Sequence, residues 1–279
     1  MDSNEARIQW ENAAPGWAKW EAIFSRSVES ATDTMLDAAG IETGSRVLDL
    51  ASGSGNQTLV AARRAGSTGQ VVANDISKTM LDYLARNAAA AGLSNIDPLL
   101  GSVQELDIEH DAFDAVISRF GVMLIPEPDK VLLKVFAALK PGGKASILVF
   151  SVPQANPFFI VPMQILLKHA GKSPPPPGAP GLFALAAPGL LEKLFCEAGF
   201  KDPQVSSLDI VFRLPPADQT LMMIQEAFGA YRAVISDCTE ETKAAAWQEV
   251  REYLGSIDSG NGIETPAQVL VASARKPAQ

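Results

Sequence analysis

Apolar and polar positions alternate in blocks along residues 45–150. Runs of strand length, among them "SRVLDLA", "QVVAND" and "KASILVF", are separated by stretches whose apolar residues recur with helical spacing. "NIDPLLGS" and "FDAVISRF" supply two further strands, and Pro98 marks the first of these as a short edge strand. Strands that alternate with helices predict right-handed βαβ units. With "QVSSLDIVFRL" and "AQVLVASAR" later in the chain, we predict an α/β fold: a doubly wound, mostly parallel, seven-stranded, Rossmann-like sheet.

The segments on either side of this core follow other patterns. Residues 5–39 have helical spacing, and the Pro15–Gly16 pair is predicted to split that helix. After Phe150 the alternation stops, and two long apolar insertions interrupt the remaining strands. The predicted division is a helical N-terminal lid over 1–40, a ligand-binding core over 41–150, and a remainder over 151–279. Helical cap insertions are placed at about 151–185 and 215–265.

Composition and charge narrow the classes of protein. The 279 residues are 47% apolar, and 23 Lys and Arg stand against 32 Asp and Glu, for a net charge of −9. This balance argues against binding to nucleic acid or to an anionic membrane surface. Two separated cysteines predict neither a disulfide framework nor a metal site. The chain shows no signal-peptide pattern and no membrane span, so we expect a cytoplasmic location.

The turn "VLDLASGSGNQTL" at 47–59 is the strongest chemical signal. A site for a nicotinamide or flavin dinucleotide has the pattern G-x-G-x-x-G, but Thr58 stands where the third glycine belongs. The alternative ligand, S-adenosylmethionine, is held by a turn of the form acid-x-(Gly or Ala)-x-Gly-x-Gly. Asp49 is the acid of that pattern and Ala51 its small residue, with Gly53 and Gly55 as the glycines. We therefore favour S-adenosylmethionine as the ligand.

The acid at the end of the second strand supports this interpretation. Asp75 follows Asp49 by 26 residues and closes "QVVAND". In parallel sheets the carboxyl ends of the strands line the ligand crevice, and an acid at this place binds the ribose hydroxyls. Both carboxylates therefore belong to one predicted site.

Five motifs together resemble a known family. "VLDLASGSGNQTL", "VVANDISKTML", "GSVQEL", "FDAVISRFGVMLIPEP" and "ALKPGGKASILVF" look like consecutive motifs of class I methyltransferases. The resemblance is to the branch of ubiquinone/menaquinone biosynthesis C-methyltransferases and small-molecule O-methyltransferases. It is strong over 45–150, and weaker over "WENAAPGW", "LFCEAGF" and "QVLVASARK".

The resemblance implies roles for particular residues. Asp49, Ala51, Gly53 and Gly55 would frame the methionine part of the donor, and Asp75 would bind its ribose. The other residues that it assigns to the donor are Trp17, Ile76, Met80, Ser102, Val103, Ser118 and Arg119. Ile76 and Met80 would enclose the adenine, although apolar residues on a helix face are also ordinary core. The family often has an acid where Ser102 stands, so the serine hydroxyl or the backbone would hold the adenine amine here.

The expected reaction is methyl transfer from S-adenosyl-L-methionine, with S-adenosyl-L-homocysteine as product. Such an in-line displacement requires positioning in a dry site, and a general base only where the acceptor is not already electron-rich. Of the two histidines, His110 lies in a predicted surface loop. His169 ends the first insertion and is the candidate base, with a structural role at a helix end as the alternative.

Apolar side chains outside the core motifs predict the kind of acceptor. The candidate pocket residues are Trp20, Phe120, Met123, Phe158, Met163, Phe228 and Tyr231, and the aromatic residues Trp17, Phe24 and Phe159 could add to the same apolar surface. Together they favour a small hydrophobic metabolite, methylated at oxygen or carbon. "NPFF" at 156–159 resembles the Asn-Pro-Pro-aromatic motif of nucleobase methyltransferases but does not follow the fourth strand, so we set it aside. A protein that binds S-adenosylmethionine without methyl transfer remains an alternative, and the sequence does not determine the oligomeric state.

Overall fold

The computed structural model describes residues 3–176 and 178–278. Seven strands form one sheet in the order β3-β2-β1-β4-β5-β7-β6. Their bounds are β1 Arg46–Leu50, β2 Gln70–Asp75, β3 Ile96–Leu100, β4 Phe113–Arg119, β5 Leu139–Phe150, β6 Lys201–Leu214 and β7 Ile263–Arg275. Strands β1 to β5 pair in parallel, whereas β7 runs antiparallel to both β5 and β6. This arrangement confirms the predicted doubly wound, mostly parallel seven-stranded sheet, with β3 as the predicted edge strand.

Ten α-helices are described around the sheet. They are α1 Ser3–Ser27, α2 Glu29–Ala39, α3 Asn56–Ala65, α4 Lys78–Ala90, α5 Pro128–Ala138, α6 Pro157–Ala170, α7 Leu190–Glu197, α8 Ala217–Ala227, α9 Gly229–Val234 and α10 Glu240–Ser256. Helices α2 to α5 and α7 pack against the strands. Helix α1 contacts α8 and α4 as well as β6, and α6 contacts α10 and α9 as well as β7. None of the helices described has the length and apolar character needed to cross a membrane.

The hydrophobic core lies between the sheet and the helices that cover it. The buried strand residues Val47, Leu48, Val116, Ile117 and Leu148 are each at most 1% exposed. Such near-continuous apolar runs are typical of parallel strands that are buried on both faces. At the start of α4, Ser77 caps the helix, because its Oγ accepts a 3.1 Å hydrogen bond from the Met80 N–H.

The prediction that Pro15 and Gly16 split the first helix is wrong. Helix α1 continues through both residues, and the break falls at Val28 instead. Gly16 has a packing role: a Cβ added there would lie 2.2 Å from the carbonyl oxygen of Glu226 in α8. The glycine therefore allows the two helix backbones to approach closely, and it does not interrupt the helix.

Candidate functional site

The glycine turn follows β1 at the carboxyl edge of the sheet. Gly53 and Gly55 both have positive φ, at 58° and 93°, and so does Ala51, at 53°. A left-handed residue with a side chain is uncommon, and such strain is concentrated at functional sites. Gly121, just after β4, makes room for this bend, because a Cβ there would lie 2.5 Å from that of Ala51. The ends of β1 and β4 therefore fit together at the site.

Asp49 supports the turn from behind. Its Oδ2 accepts a 2.6 Å hydrogen bond from Thr58 Oγ1, and its Oδ1 accepts a 3.3 Å hydrogen bond from Gln57 Nε2. The side chain is completely buried, and this burial raises the pKa of the Asp49 carboxyl to about 7. Asp49 does not lie on the wall of the cavity described below. It connects β1 to the first turn of α3, so its place in the motif is explained by its support of the loop.

Asp75 lies where the turn meets β2. Its Oδ2 accepts a 2.8 Å hydrogen bond from the Gly53 N–H, and its Oδ1 accepts a 2.9 Å hydrogen bond from the Ser77 N–H. Burial raises the pKa of Asp75 to about 6, against the opposing effect of these backbone donors. The carboxylate also lines the cavity, and its remaining lone pairs can accept hydrogen bonds from the two hydroxyls of a ribose.

One cavity of about 720 Å³ opens at this edge. Its volume is typical of a small-molecule site. The donor residues of the sequence prediction that line it are Trp17, Ala51, Gly53, Asp75, Ile76, Met80, Ser102, Val103 and Arg119. The predicted acceptor residues on the same wall are Phe120, Met123, Met163, Phe228 and Tyr231. The structure thus brings most of both predicted sets to a single continuous space.

Six predicted residues do not reach this wall. Asp49 and Gly55 lie behind the turn, and Ser118 donates a 2.9 Å hydrogen bond to the Leu50 carbonyl oxygen between β4 and β1. Trp20 faces α8, where its Nε1 donates a 2.6 Å hydrogen bond to Glu226. Phe158 is buried in the core, with its ring centroid 4.9 Å from that of Phe159.

The sixth residue is the candidate base, His169. It ends α6 outside the cavity, and its Nε2 lies 2.7 Å from a carboxylate oxygen of Glu249 in α10. Lys168 and His169 together hold the pKa of Glu249 below its usual range. The contact connects two helices at the surface and does not bring the imidazole to the cavity.

Several wall residues were not predicted from the sequence, whereas two others, Phe24 and Phe159, belong to the aromatic residues expected to add to the pocket. Helix α1 contributes Ala13, Glu21, Phe24 and Ser25 in addition to Trp17. The spacing of three or four residues between Ala13, Trp17, Glu21 and Phe24 places them on one helix face, which is a signal that the sequence contains. Phe150 and Phe159 line the wall from β5 and α6, and residues 174–176 and 178–184 border it as well.

The chemical character of the residues on the cavity wall matches the parts of S-adenosylmethionine. The ligand needs acceptors for ribose hydroxyls, backbone close to its methionine part and a largely apolar adenine pocket. Asp75 supplies the acceptors, Gly53 the bare backbone, and Ile76 and Met80 the apolar surface. Over the described part of the chain no cluster of His, Cys, Asp and Glu is able to hold a metal ion.

The fold and the turn define the class: a Rossmann-like protein with a glycine turn of the S-adenosylmethionine type. The model of the ubiE/COQ5 methyltransferase family matches residues 22–169, which is more than half of the chain. The chain belongs to the ubiE/COQ5 methyltransferase family. This membership confirms the family that the motifs predict and the methyl donor that goes with it.

Relatives and solved structures agree with this assignment. The Ubiquinone/menaquinone biosynthesis C-methyltransferase of Erwinia tasmaniensis is 33% identical over 148 residues, covering 49% of this chain and 59% of that protein. The corresponding protein of Haemophilus ducreyi is 36% identical over 125 residues, covering 44% and 48%. The chain therefore spans about half the length of the curated relatives that it matches.

Structural similarity extends further along the chain. Phosphoethanolamine N-methyltransferase 2 of Haemonchus contortus, solved in complex with S-adenosyl-L-methionine, matches with a TM-score of 0.56 at 20% identity. The match covers 89% of this chain and 52% of that chain. At this identity the match shows the shared fold, including the segments after residue 169.

Proposed function

We propose that this chain transfers the methyl group of S-adenosylmethionine to a small hydrophobic metabolite, at an oxygen or a carbon atom. The observation that carries the proposal is the single cavity that joins the two sets of residues. Asp75 and Gly53 lie on one part of its wall, and Met123, Met163 and Phe228 lie on another. A donor held by the first set and an acceptor held by the second would share one space, in which the acceptor atom could lie in line with the methyl group.

The aromatic residues of the wall suit both the donor and the acceptor. The ring centroid of Trp17 lies 5.4 Å from that of Phe24 and 5.4 Å from that of Phe228. Such a group offers apolar surface to an acceptor, and its ring faces attract a positively charged sulfonium. These side chains would hold the acceptor in line with the methyl group by packing.

The titratable residues of the wall indicate what kind of acceptor is suitable. In the described ranges these residues are Glu21, Asp75, Arg119 and Tyr231. The Tyr231 hydroxyl donates a 2.8 Å hydrogen bond to the Phe159 carbonyl oxygen, and burial raises the pKa of the phenol well above its usual range. Asp75 is engaged at the turn. With Tyr231 and Asp75 engaged, and with Glu21 facing the amino-acid end of the donor, the acceptor would carry its own activated nucleophile, such as an ionised phenol or an electron-rich ring carbon.

The remaining parts of the proposal follow from charge and sequence. We propose a small-molecule substrate and no nucleic-acid partner, since the net charge of −9 does not suit a phosphate backbone. The cytoplasmic location is part of the same proposal. So is the division into an N-terminal lid over 1–40, a donor-binding core over 41–150 and a remainder over 151–279 with its two cap insertions.

The test is a screen of phenols, quinols and related acceptors with S-adenosylmethionine. We expect a product heavier by one methylene unit, with S-adenosylhomocysteine formed in equal amount. Binding of S-adenosylhomocysteine without methylation of any acceptor would overturn the proposal and favour a protein that only binds the donor. Failure to bind S-adenosylhomocysteine would overturn the proposed site as well.

A matched pair of methionine variants tests whether Met163 lies in the part of the cavity that binds the acceptor. Met163 lies on the wall, whereas Met222 on α8 is 46% exposed and lies outside it. Met163→Gln is expected to raise KM for a hydrophobic acceptor by about tenfold, because a buried polar amide replaces apolar surface. Met222→Gln should leave KM unchanged, and neither variant should alter the affinity for S-adenosylhomocysteine. Equal effects of the two variants on KM would contradict the assigned wall.

A further inference from the structure

A partly buried arginine at the end of β4 has only neutral hydrogen-bond partners. Arg119 Nη1 donates to Asn56 Oδ1 at 2.9 Å and to Thr32 Oγ1 at 3.2 Å, and Nη2 donates to Ser25 Oγ at 3.4 Å. No carboxylate of the described residues lies within ion-pair distance of the guanidinium. A partly desolvated charge without a counter-ion, on the wall of a cavity, is a candidate site for an anionic group of a ligand.

The guanidinium remains available to such a ligand. Arg119 lines the cavity, and its three hydrogen bonds do not use all of its N–H donors. Burial lowers the pKa of Arg119, while the negative charges of Glu21 and Asp49 raise it. An arginine stays protonated in proteins even so, and its planar fork matches the two oxygens of a carboxylate.

An acidic side chain lies on the same wall. Glu21 is one helical turn before Ser25 on α1, and it lines the cavity. Within the described residues its carboxylate has no hydrogen bond to a neighbouring side chain or backbone group. Its charge acts on Arg119, although the two side chains do not form an ion pair. The wall of the cavity thus carries one cationic and one anionic side chain.

The order of the strands places this pair at the correct end of the donor. Asp75 ends β2, the glycine turn follows β1, and Arg119 ends β4, and these three strands are neighbours in the order β2-β1-β4. Two strand spacings separate Asp75 from Arg119, about 10 Å at the usual distance between strands. Asn56, the partner of Arg119, directly follows Gly55 of the turn. A donor with its ribose at Asp75 would extend its methionine part across β1 toward Arg119.

We propose that Arg119 binds the α-carboxylate of the donor and that Glu21 attracts its α-ammonium group. This inference rests on the proposed function, because it assigns two charged groups to the amino-acid end of S-adenosylmethionine. Neither group forms a bond to the transferred methyl. Both select a ligand whose thioether or sulfonium carries a zwitterionic amino acid, and they orient its methyl group toward the apolar part of the cavity.

The experiment compares four ligands by calorimetric titration. S-adenosylhomocysteine has both charged groups, its decarboxylated analogue keeps only the ammonium, its deaminated analogue keeps only the carboxylate, and 5′-methylthioadenosine has neither. Arg119→Met should weaken the two ligands that carry a carboxylate by on the order of 10- to 100-fold. It should leave the affinities of the other two nearly unchanged. Glu21→Gln should selectively weaken the two ligands that carry an ammonium.

Controls separate binding from folding. The affinity for 5′-methylthioadenosine reports in each variant whether the adenosine part of the site is intact. Arg119→Lys should recover part of the lost affinity, because it keeps the charge without the planar fork. Arg26→Met and Glu29→Gln remove exposed charges from α1 and α2 and should change no affinity.

The outcomes distinguish a failure of the charge assignment from a failure of the proposed function. Loss of 5′-methylthioadenosine binding in Arg119→Met, in parallel with the other ligands, would overturn the carboxylate assignment in favour of a structural role. A Glu21→Gln variant with unchanged ligand affinities and a slower methyl transfer would overturn the ammonium assignment in favour of a general base. If wild-type protein binds none of the four ligands, the proposed function itself fails.

Discussion

Thr58 Oγ1 donates a 2.6 Å hydrogen bond to Oδ2 of the buried Asp49. The threonine occupies the place of the third glycine in a dinucleotide-binding turn, where a glycine brings helix and strand close together. Here the side chain fills that place and connects β1 to the first turn of α3. The departure from the dinucleotide pattern is therefore a positive structural feature of this turn.

Thr58→Val should destabilise the fold by on the order of 1 to 3 kcal/mol, since it leaves a buried carboxylate without its shortest hydrogen bond. The loss should be larger at pH 8 than at pH 5. Burial raises the pKa of Asp49 to about 7, so the carboxyl is mainly protonated at pH 5 and ionised at pH 8, where it depends most on this donor. Urea unfolding at both pH values measures the effect. Thr58→Ser keeps the hydroxyl and should retain most of the stability; equal losses in both variants would argue against the hydrogen bond.

The affinity for S-adenosylhomocysteine should rise by about tenfold from pH 5 to pH 7.5. Burial raises the pKa of Asp75 to about 6, with Glu11 and Asp49 as the nearby acids, so the group is mostly protonated at pH 5. Ribose hydroxyls donate more strongly to the ionised carboxylate, whose fraction at pH 5 is about one tenth. Calorimetric titration across this range provides the measurement. Asp75→Asn should bind more weakly and with a flatter pH profile, and a variant as pH-dependent as the wild type would refute the assignment.

The two glycines of the turn should respond differently to alanine. At Gly55 a Cβ would lie 2.7 Å from Leu84 Cγ, and φ is +93°. Gly55→Ala should therefore cost about 2 to 4 kcal/mol of unfolding free energy.

At Gly53 a Cβ meets no atom within 4 Å, so only the left-handed backbone is unfavourable, at about 1 to 2 kcal/mol. This residue lines the cavity, and Gly53→Ala should mainly weaken the binding of S-adenosylhomocysteine. Thermal unfolding and titration of both variants test the contrast. Similar stability losses would show that contact with Leu84 is unimportant.

Gly16→Ala should separate α1 from α8. The added Cβ would lie 2.2 Å from the Glu226 carbonyl oxygen, so the backbone of both helices has to move. The expected loss of unfolding free energy is about 1 to 3 kcal/mol. Gly255 in α10 is the matched control, because a Cβ there meets no atom within 4 Å. Gly255→Ala should stabilise the protein by about 0.5 to 1 kcal/mol through helix propensity. A harmless Gly16→Ala would mean that the helices do not approach so closely.

His169→Gln should change kcat for methyl transfer by less than about twofold. The imidazole is outside the cavity and pairs with Glu249 at the surface, so its removal should not disturb the groups that hold donor and acceptor. His110→Gln, in an exposed loop, is the matched control. A large fall in kcat confined to His169→Gln would restore the histidine as the candidate base.

Local signals in the sequence located the turn and its neighbours correctly. Thr58 and Asp75 each belong to one continuous motif, and local backbone geometry places Thr58 in the first turn of α3 and Asp75 at the end of β2. The prediction at Pro15 and Gly16 is wrong because helix propensity is a weak local preference, and packing of α1 on α8 outweighed it. Glu21 was not predicted because its neighbours in the cavity are far away along the chain.

By itself, the sequence determined the order of strands and helices, the glycine turn with Asp49, and the acid of β2 at Asp75. These features depend on short-range periodicity and on backbone conformation, which neighbouring residues control. Tertiary structure alone decided which side chains share the cavity. Adjacent residues of a strand point to opposite faces, so Arg119 reaches the wall while Ser118 bonds to the next strand. Glu21 and Arg119 line the same cavity only because long-range packing holds α1 against α8, α4 and β6.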